Sequence, residues 1–172
     1  ELFLEEFSPA FQKVHQEITH GAEGVGLTYT SPVPDSEEAF AAILLEVQSE
    51  DRRHRRTTVG IHKDDVRFEL GEHLLKRFGS QGQQKSFLIA LRLAQLAHIE
   101  KVTEVKPILL LDDIFDKIDD KRVQALMEHV TAGQFGQVFI TDTDLDRIPK
   151  LFASTGSDVR VFKVERGEVI AQ

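Results

Sequence analysis

Cysteine is absent from this 172-residue chain, which excludes disulfides and thiolate metal sites and fits a reducing, cytoplasmic setting. No apolar run approaches the roughly 20 residues needed to span a bilayer, and no signal-peptide pattern opens the sequence, so no membrane role is expected. Positive charge is in deficit. Lys and Arg number 21 against 29 Asp and Glu, a balance of −8, so any contact with a polyanion such as DNA must be local. Also missing is any Gly-x-x-x-x-Gly-Lys-Ser/Thr loop, the segment whose backbone N–H groups wrap the phosphates of a nucleotide. The chain opens on Glu1 instead of Met, and with the missing loop this suggests a piece of a longer protein.

What is present suffices for one sizeable core, or one core with a small appendage, at 41% hydrophobic content. Leu2, Phe3, Phe7, Phe11, Val14 and Ile18 recur at helical spacing and predict a helix over 2–19 despite Pro9. A β-branched strand is expected over 25–30, then a turn at 31–34. Ser36 reads as the cap of a helix through Phe40, Ile43, Leu44 and Val47 that ends in the basic cluster Arg52 to Arg56. From Thr57 the pattern predicts short strands over 57–61, 66–70 and 74–78, and a lobe boundary is placed there, dividing 1–56 from 57–172. The stretch 83–99 is apolar nearly all round, as for a helix buried between layers. The run 108–111 reads as a central parallel strand covered on both faces. A helix over 120–131, a strand over 137–141 and a closing hairpin over 159–164 and 167–170 complete an α/β pattern: a parallel sheet with flanking helices and right-handed crossovers.

Two segments carry chemistry. In Phe78-Gly79-Ser80-Gln81-Gly82-Gln83-Gln84 a small-residue turn opens a helix, where the first N–H groups lack intrahelical acceptors and favour an anion. The plainer reading is an ordinary helix start with Ser80 as its cap. Lys85-Ser86 misses a phosphate loop by one residue, because Gln84 stands where glycine is required. In Pro107 to Asp113 an apolar strand ends in paired carboxylates at the carboxyl end of the sheet, where open α/β folds bind ligands. There Asp112 is suited to orient Mg²⁺ and Asp113 to position or deprotonate an attacking water. Of Asp116 and Asp119, one is expected to cap the next helix and the other to reach across an interface. The Arg52 to Arg56 run is a candidate phosphate-backbone contact or a solvated helix end. The seven histidines show no ligand spacing.

Gly79-Ser80-Gln81-Gly82-Gln83 resembles the signature motif of ABC-type ATPases, Ile108 to Asp113 their Walker B strand, and Asp119 their D-loop position. With Gly60-Ile61-His62-Lys63-Asp64-Asp65 upstream, the combination is similar to the RecF family of bacterial DNA replication and repair proteins. The resemblance implies an ABC-type head with a short helical arm, to which 1–56 would contribute. It implies an ATP-driven homodimer in which Ser80, Gln81, Gly82 and Gln83 meet nucleotide held by the other subunit, Asp112 holds Mg²⁺, Asp113 activates water and Asp119 communicates between subunits. It further implies DNA binding at single-strand gaps, slow ATP hydrolysis, the partners RecR and RecO, and help in loading RecA. The chain departs from the pattern of ABC-type ATPases at three points: Asp113 stands for the usual Glu, Gln81 for the first signature glycine, and Asp142 for the switch histidine. An SMC-like or nuclease-associated head is the alternative within the superfamily, and a non-enzymatic scaffold the alternative outside it.

Overall fold

The computed structural model describes residues 2–116, 118–132, 135–144, 146–153 and 158–171. Its first element, α1 (Leu2–Thr19), runs through Pro9 and buries Phe7, Phe11, Val14, His15 and Ile18 on one face. That apolar stripe holds the helix together where the proline removes a backbone donor. Strand β1 (Val25–Thr30) pairs antiparallel with β2 (Asp65–Leu70), Val25 opposite Leu70, and β2 pairs with the short β3 (His73–Leu74). Between them α2 (Glu37–His54) is capped by Ser36, whose hydroxyl accepts the Ala39 N–H at 3.1 Å.

Helix α3 (Leu75–Phe78) leads into the 23-residue α4 (Gln81–Thr103), which packs on α1. The core closes around Phe87, fully buried on α4, with ring centroids 4.8 Å from Phe11 of α1 and 5.2 Å from Phe68 of β2. Strand β4 (Ile108–Asp112), helix α5 (Asp120–Thr131) and strand β5 (Gln137–Thr141) form a β-α-β unit whose strands pair in parallel, Asp112 opposite Thr141. A short α6 (Arg147–Phe152) and the hairpin β6 (Phe162–Glu165) and β7 (Glu168–Ala171) follow. Among the described residues no helix is long and apolar enough to cross a membrane.

Several expectations need correction. Residues 57–61 are not a strand: Gly60 takes φ 147°, and the Asp51 carboxylate captures Thr58 through its N–H (2.8 Å) and hydroxyl (2.6 Å), folding the segment back on α2. Residues 74–78 are a strand only at Leu74. The chain then turns helical to bury Leu75, whose carbonyl accepts the Gly79 N–H at 2.8 Å. In the closing hairpin, regular pairing starts at Phe162, not 159. Helix α4 buries one face only; Leu88 on the other is 50% exposed. Strand β4 likewise buries Leu109 and Leu111 but leaves Leu110 72% exposed, beside an exposed Phe139 on β5, so this face of the sheet is open.

The core draws on elements before and after residue 57. β1 and α1, which precede it, join β2 and α4, which follow it, around one core. Helix α2 buries no residue and contributes none to that core.

Candidate nucleotide half-site

The turn between α3 and α4 is built on a close approach. A Cβ on Gly79 would lie 2.8 Å from the Leu75 carbonyl oxygen and 2.9 Å from Leu75 Cδ1, contacts that real side chains do not make. Ser80 then caps α4 in a full capping box: its Oγ accepts the Gln83 N–H at 3.2 Å, and Gln83 Oε1 accepts the Ser80 N–H at 2.8 Å. Gln84 Nε2 closes the turn from the other side by donating to the Gly79 carbonyl at 2.8 Å. The plainer reading of Ser80 as a helix cap therefore describes its geometry here. Gln81 and Gly82, as the first two helical residues, keep N–H groups with no intrahelical acceptor, at the positive end of a long helix.

The acidic pair ends β4. Both carboxylate residues are exposed, and the register of the parallel pair sets Thr141 against Asp112. The Thr141 hydroxyl donates to Asp112 Oδ1 and accepts the Asp113 N–H at 3.2 Å, so one β5 side chain orients the start of the loop. Asp113 adopts φ +46°, a left-handed turn that Asp tolerates better than most residues. Lys85, on the first turns of α4, donates Nζ to the carbonyls of Asp113 (3.0 Å) and Asp116 (2.8 Å). The helix that begins at the signature-like turn thus holds the loop that follows the carboxylates.

Asp119 is the cap of α5, accepting the Arg122 N–H at 3.1 Å through Oδ1. Its Oδ2 lies 3.1 Å from Arg122 Nε. Arg122 reaches further, with Nη1 3.0 Å from Ser86 Oγ and Nη2 2.7 Å from Glu23 Oε1. Glu23 Oε1 also accepts Gln83 Nε2 at 3.2 Å. Beneath them His15 is fully buried, its Nε2 3.9 Å from Glu23 Oε2, and burial holds its pKa below the ordinary value; Glu23 pulls upward and Arg122 downward. Asp142, at the position of the expected histidine, is turned inward, its side chain 4% exposed and Oδ2 3.2 Å from Arg147 Nη1. Arg147 in turn sits 5.8 Å over the Phe115 ring, touching the loop after the acidic pair.

No motif marks Glu23, Arg122 or Thr141, and Lys85 stands out only as part of a failed phosphate loop. Thr141 was within reach, because aligning the two apolar strands sets it opposite Asp112. Glu23 and Arg122 lie 99 positions apart, and no local pattern announces their contact.

Among the described residues no group of three or more His, Cys, Asp or Glu could hold a metal ion. A single carboxylate such as Asp112, one oxygen of which is engaged by Thr141, fits Mg²⁺ only where phosphate oxygens and water complete the shell.

No protein-family model matches the chain. It is 48% identical over 162 residues to the DNA replication and repair protein RecF of Flavobacterium johnsoniae, a match covering 94% of this chain and 45% of that protein. The chain spans about half the length of the curated relatives it matches. In fold it is similar to a solved structure of the recombination mediator protein RecF with ATP, with a TM-score of 0.72 at 24% identity over 99% of this chain and 44% of that one. It is also similar to the Smc head domain of Pyrococcus yayanosii, with a TM-score of 0.59 at 14% identity over 98% of this chain and 26% of that one.

Proposed function

From a chain that belongs to the RecF family over the stretch it shares with its relatives, we propose that this is the C-terminal part of a RecF-type ATPase. It would carry the signature turn, the Walker B carboxylates and the D-loop of an ABC-type head. The full-length protein would pair through ATP into a homodimer, bind DNA at single-strand gaps, work with RecR- and RecO-like partners, and assist recombinase loading in the cytoplasm. The observation that carries this reading is the juxtaposition of an anion-compatible, capped small-residue turn with paired carboxylates, joined by Lys85.

In the proposed dimer, Ser80, Gln81, Gly82 and Gln83 of one subunit face the γ-phosphate held by the other. The N–H groups of Gln81 and Gly82, without intrahelical acceptors, supply fixed donors, which need no reorganisation when phosphate charge shifts. Asp112 would hold Mg²⁺ together with phosphate oxygens, and the ion when bound would supply charge neutralisation. Asp113 takes a proton from, or aligns, the attacking water. Being one methylene shorter than the usual Glu, it reaches less far, which would slow turnover. Asp142, tied to Arg147, does not offer the donor that a switch histidine would. Residues 1–56 would contribute the part of the helical arm present in this chain, including α2 with the Arg52 to Arg56 cluster at its end.

The test is Asp113→Asn in the full-length protein. ATP turnover is expected to fall about 100-fold or more while ATP binding persists; unchanged turnover would favour a scaffold that keeps the fold without the chemistry. The chain alone is expected to show no MgATP binding by calorimetry, and micromolar affinity would overturn the half-site assignment.

A further inference from the structure

Arg122 reaches three acceptors from three parts of the chain. Its guanidinium meets Asp119 at the D-loop position (3.1 Å), Ser86 one turn into α4 (3.0 Å) and Glu23 in the loop before β1 (2.7 Å). Glu23 shares the same oxygen with Gln83 Nε2 (3.2 Å), and Gln83 Oε1 accepts the Ser80 N–H (2.8 Å). Ser86 passes the connection back by donating to the Gly82 carbonyl at 2.9 Å. An unbroken chain of hydrogen bonds therefore runs from the backbone of the signature turn to the Asp119 carboxylate. Arg122 and Glu23 are only 17% and 11% exposed, where such bonds are strong and a lost partner is costly.

We propose that Arg122 and Glu23 are positioning residues that lock the signature turn and the D-loop into one unit, so that engagement by a partner subunit at either is felt at the other. The inference rests on the half-site reading above. Neither residue needs to touch nucleotide. Glu23 holds the Gln83 amide inward while no phosphate is present, and the planar fork of Arg122 keeps Asp119 registered to α4 whichever way Gln83 points. Lysine cannot replace it, because one ammonium cannot reproduce a rigid fork aimed at three acceptors.

The test uses Arg122→Lys and Glu23→Gln in the full-length protein, with two separate measurements. The first is amide exchange without nucleotide. Each variant is expected to speed exchange about tenfold both at 82–86 and at 119–122, beyond any change at amides of the rest of the core. Acceleration confined to the mutated element would overturn the inference. The second is ATP-driven dimerisation. Each variant is expected to need about tenfold more ATP to pair, while the affinity of its own subunit for nucleotide is unchanged; pairing at the wild-type ATP concentration would also overturn it. If the wild-type protein does not pair with ATP at all, the half-site reading fails instead. The exchange measurement still decides whether the two segments are joined.

Discussion

Thr141 shows how much one hydroxyl can carry: it binds Asp112 through the side chain and Asp113 through the backbone N–H. Thr141→Val keeps the shape and removes both bonds. In the full-length protein it is expected to lower kcat by about 10-fold or more, as supporting residues of metal and phosphate sites do, with little change in melting temperature; parallel losses of stability and activity would show a merely structural role. His15 makes a second prediction. Its folded pKa lies below the ordinary 6.5, so below that pH the unfolded chain binds a proton that the native state resists. Stability is therefore full above about pH 6.5 and falls as pH drops through it. Thermal unfolding from pH 7.5 to 5.5 is expected to show this loss, and His15→Gln to reduce it; an identical pH profile in the variant would contradict the assignment.

Elements answer to packing as much as to local pattern. Gly79→Ala pushes a Cβ into the Leu75 carbonyl at the junction of α3 and α4, and is expected to cost about 1–3 kcal/mol in chemical denaturation. Phe87→Ala, at the meeting of α1, β2 and α4, is expected to cost about 3–5 kcal/mol. Ser36→Ala should act otherwise. Because α2 buries nothing, losing its cap should speed exchange at the first amides of α2 and leave the global transition in place. The same contrast explains what was legible in the sequence. Phe7, Phe11, Val14 and Ile18 announce α1 by spacing, Asp116 and Asp119 offer two caps for α5 of which Asp119 serves, and the runs at 108 and 137 announce two strands. Residues 57–61 misled because β-branched Thr57, Thr58 and Val59 look extended, while Asp51 on the preceding helix decides their path. Leu75 misled because burial of one side chain outweighed the β pattern around it.

At the scale of the molecule, the motifs lie on one packed body while one sheet face, at Ile108, Leu110 and Phe139, stays open. Uniform apolarity in β4 reads as burial on both sides, and in this chain only one side is met. The proposed remainder of the head would cover the other. In the proposed dimer the turn at Ser80 acts on nucleotide held by a second subunit. The most direct test is sedimentation of the full-length protein with and without ATP, comparing wild type with Ser80→Arg. A dimer is expected to form with ATP and to be lost in the variant while each subunit still binds ATP. A wild-type protein that stays monomeric with ATP, or a variant that pairs as well as wild type, would contradict it.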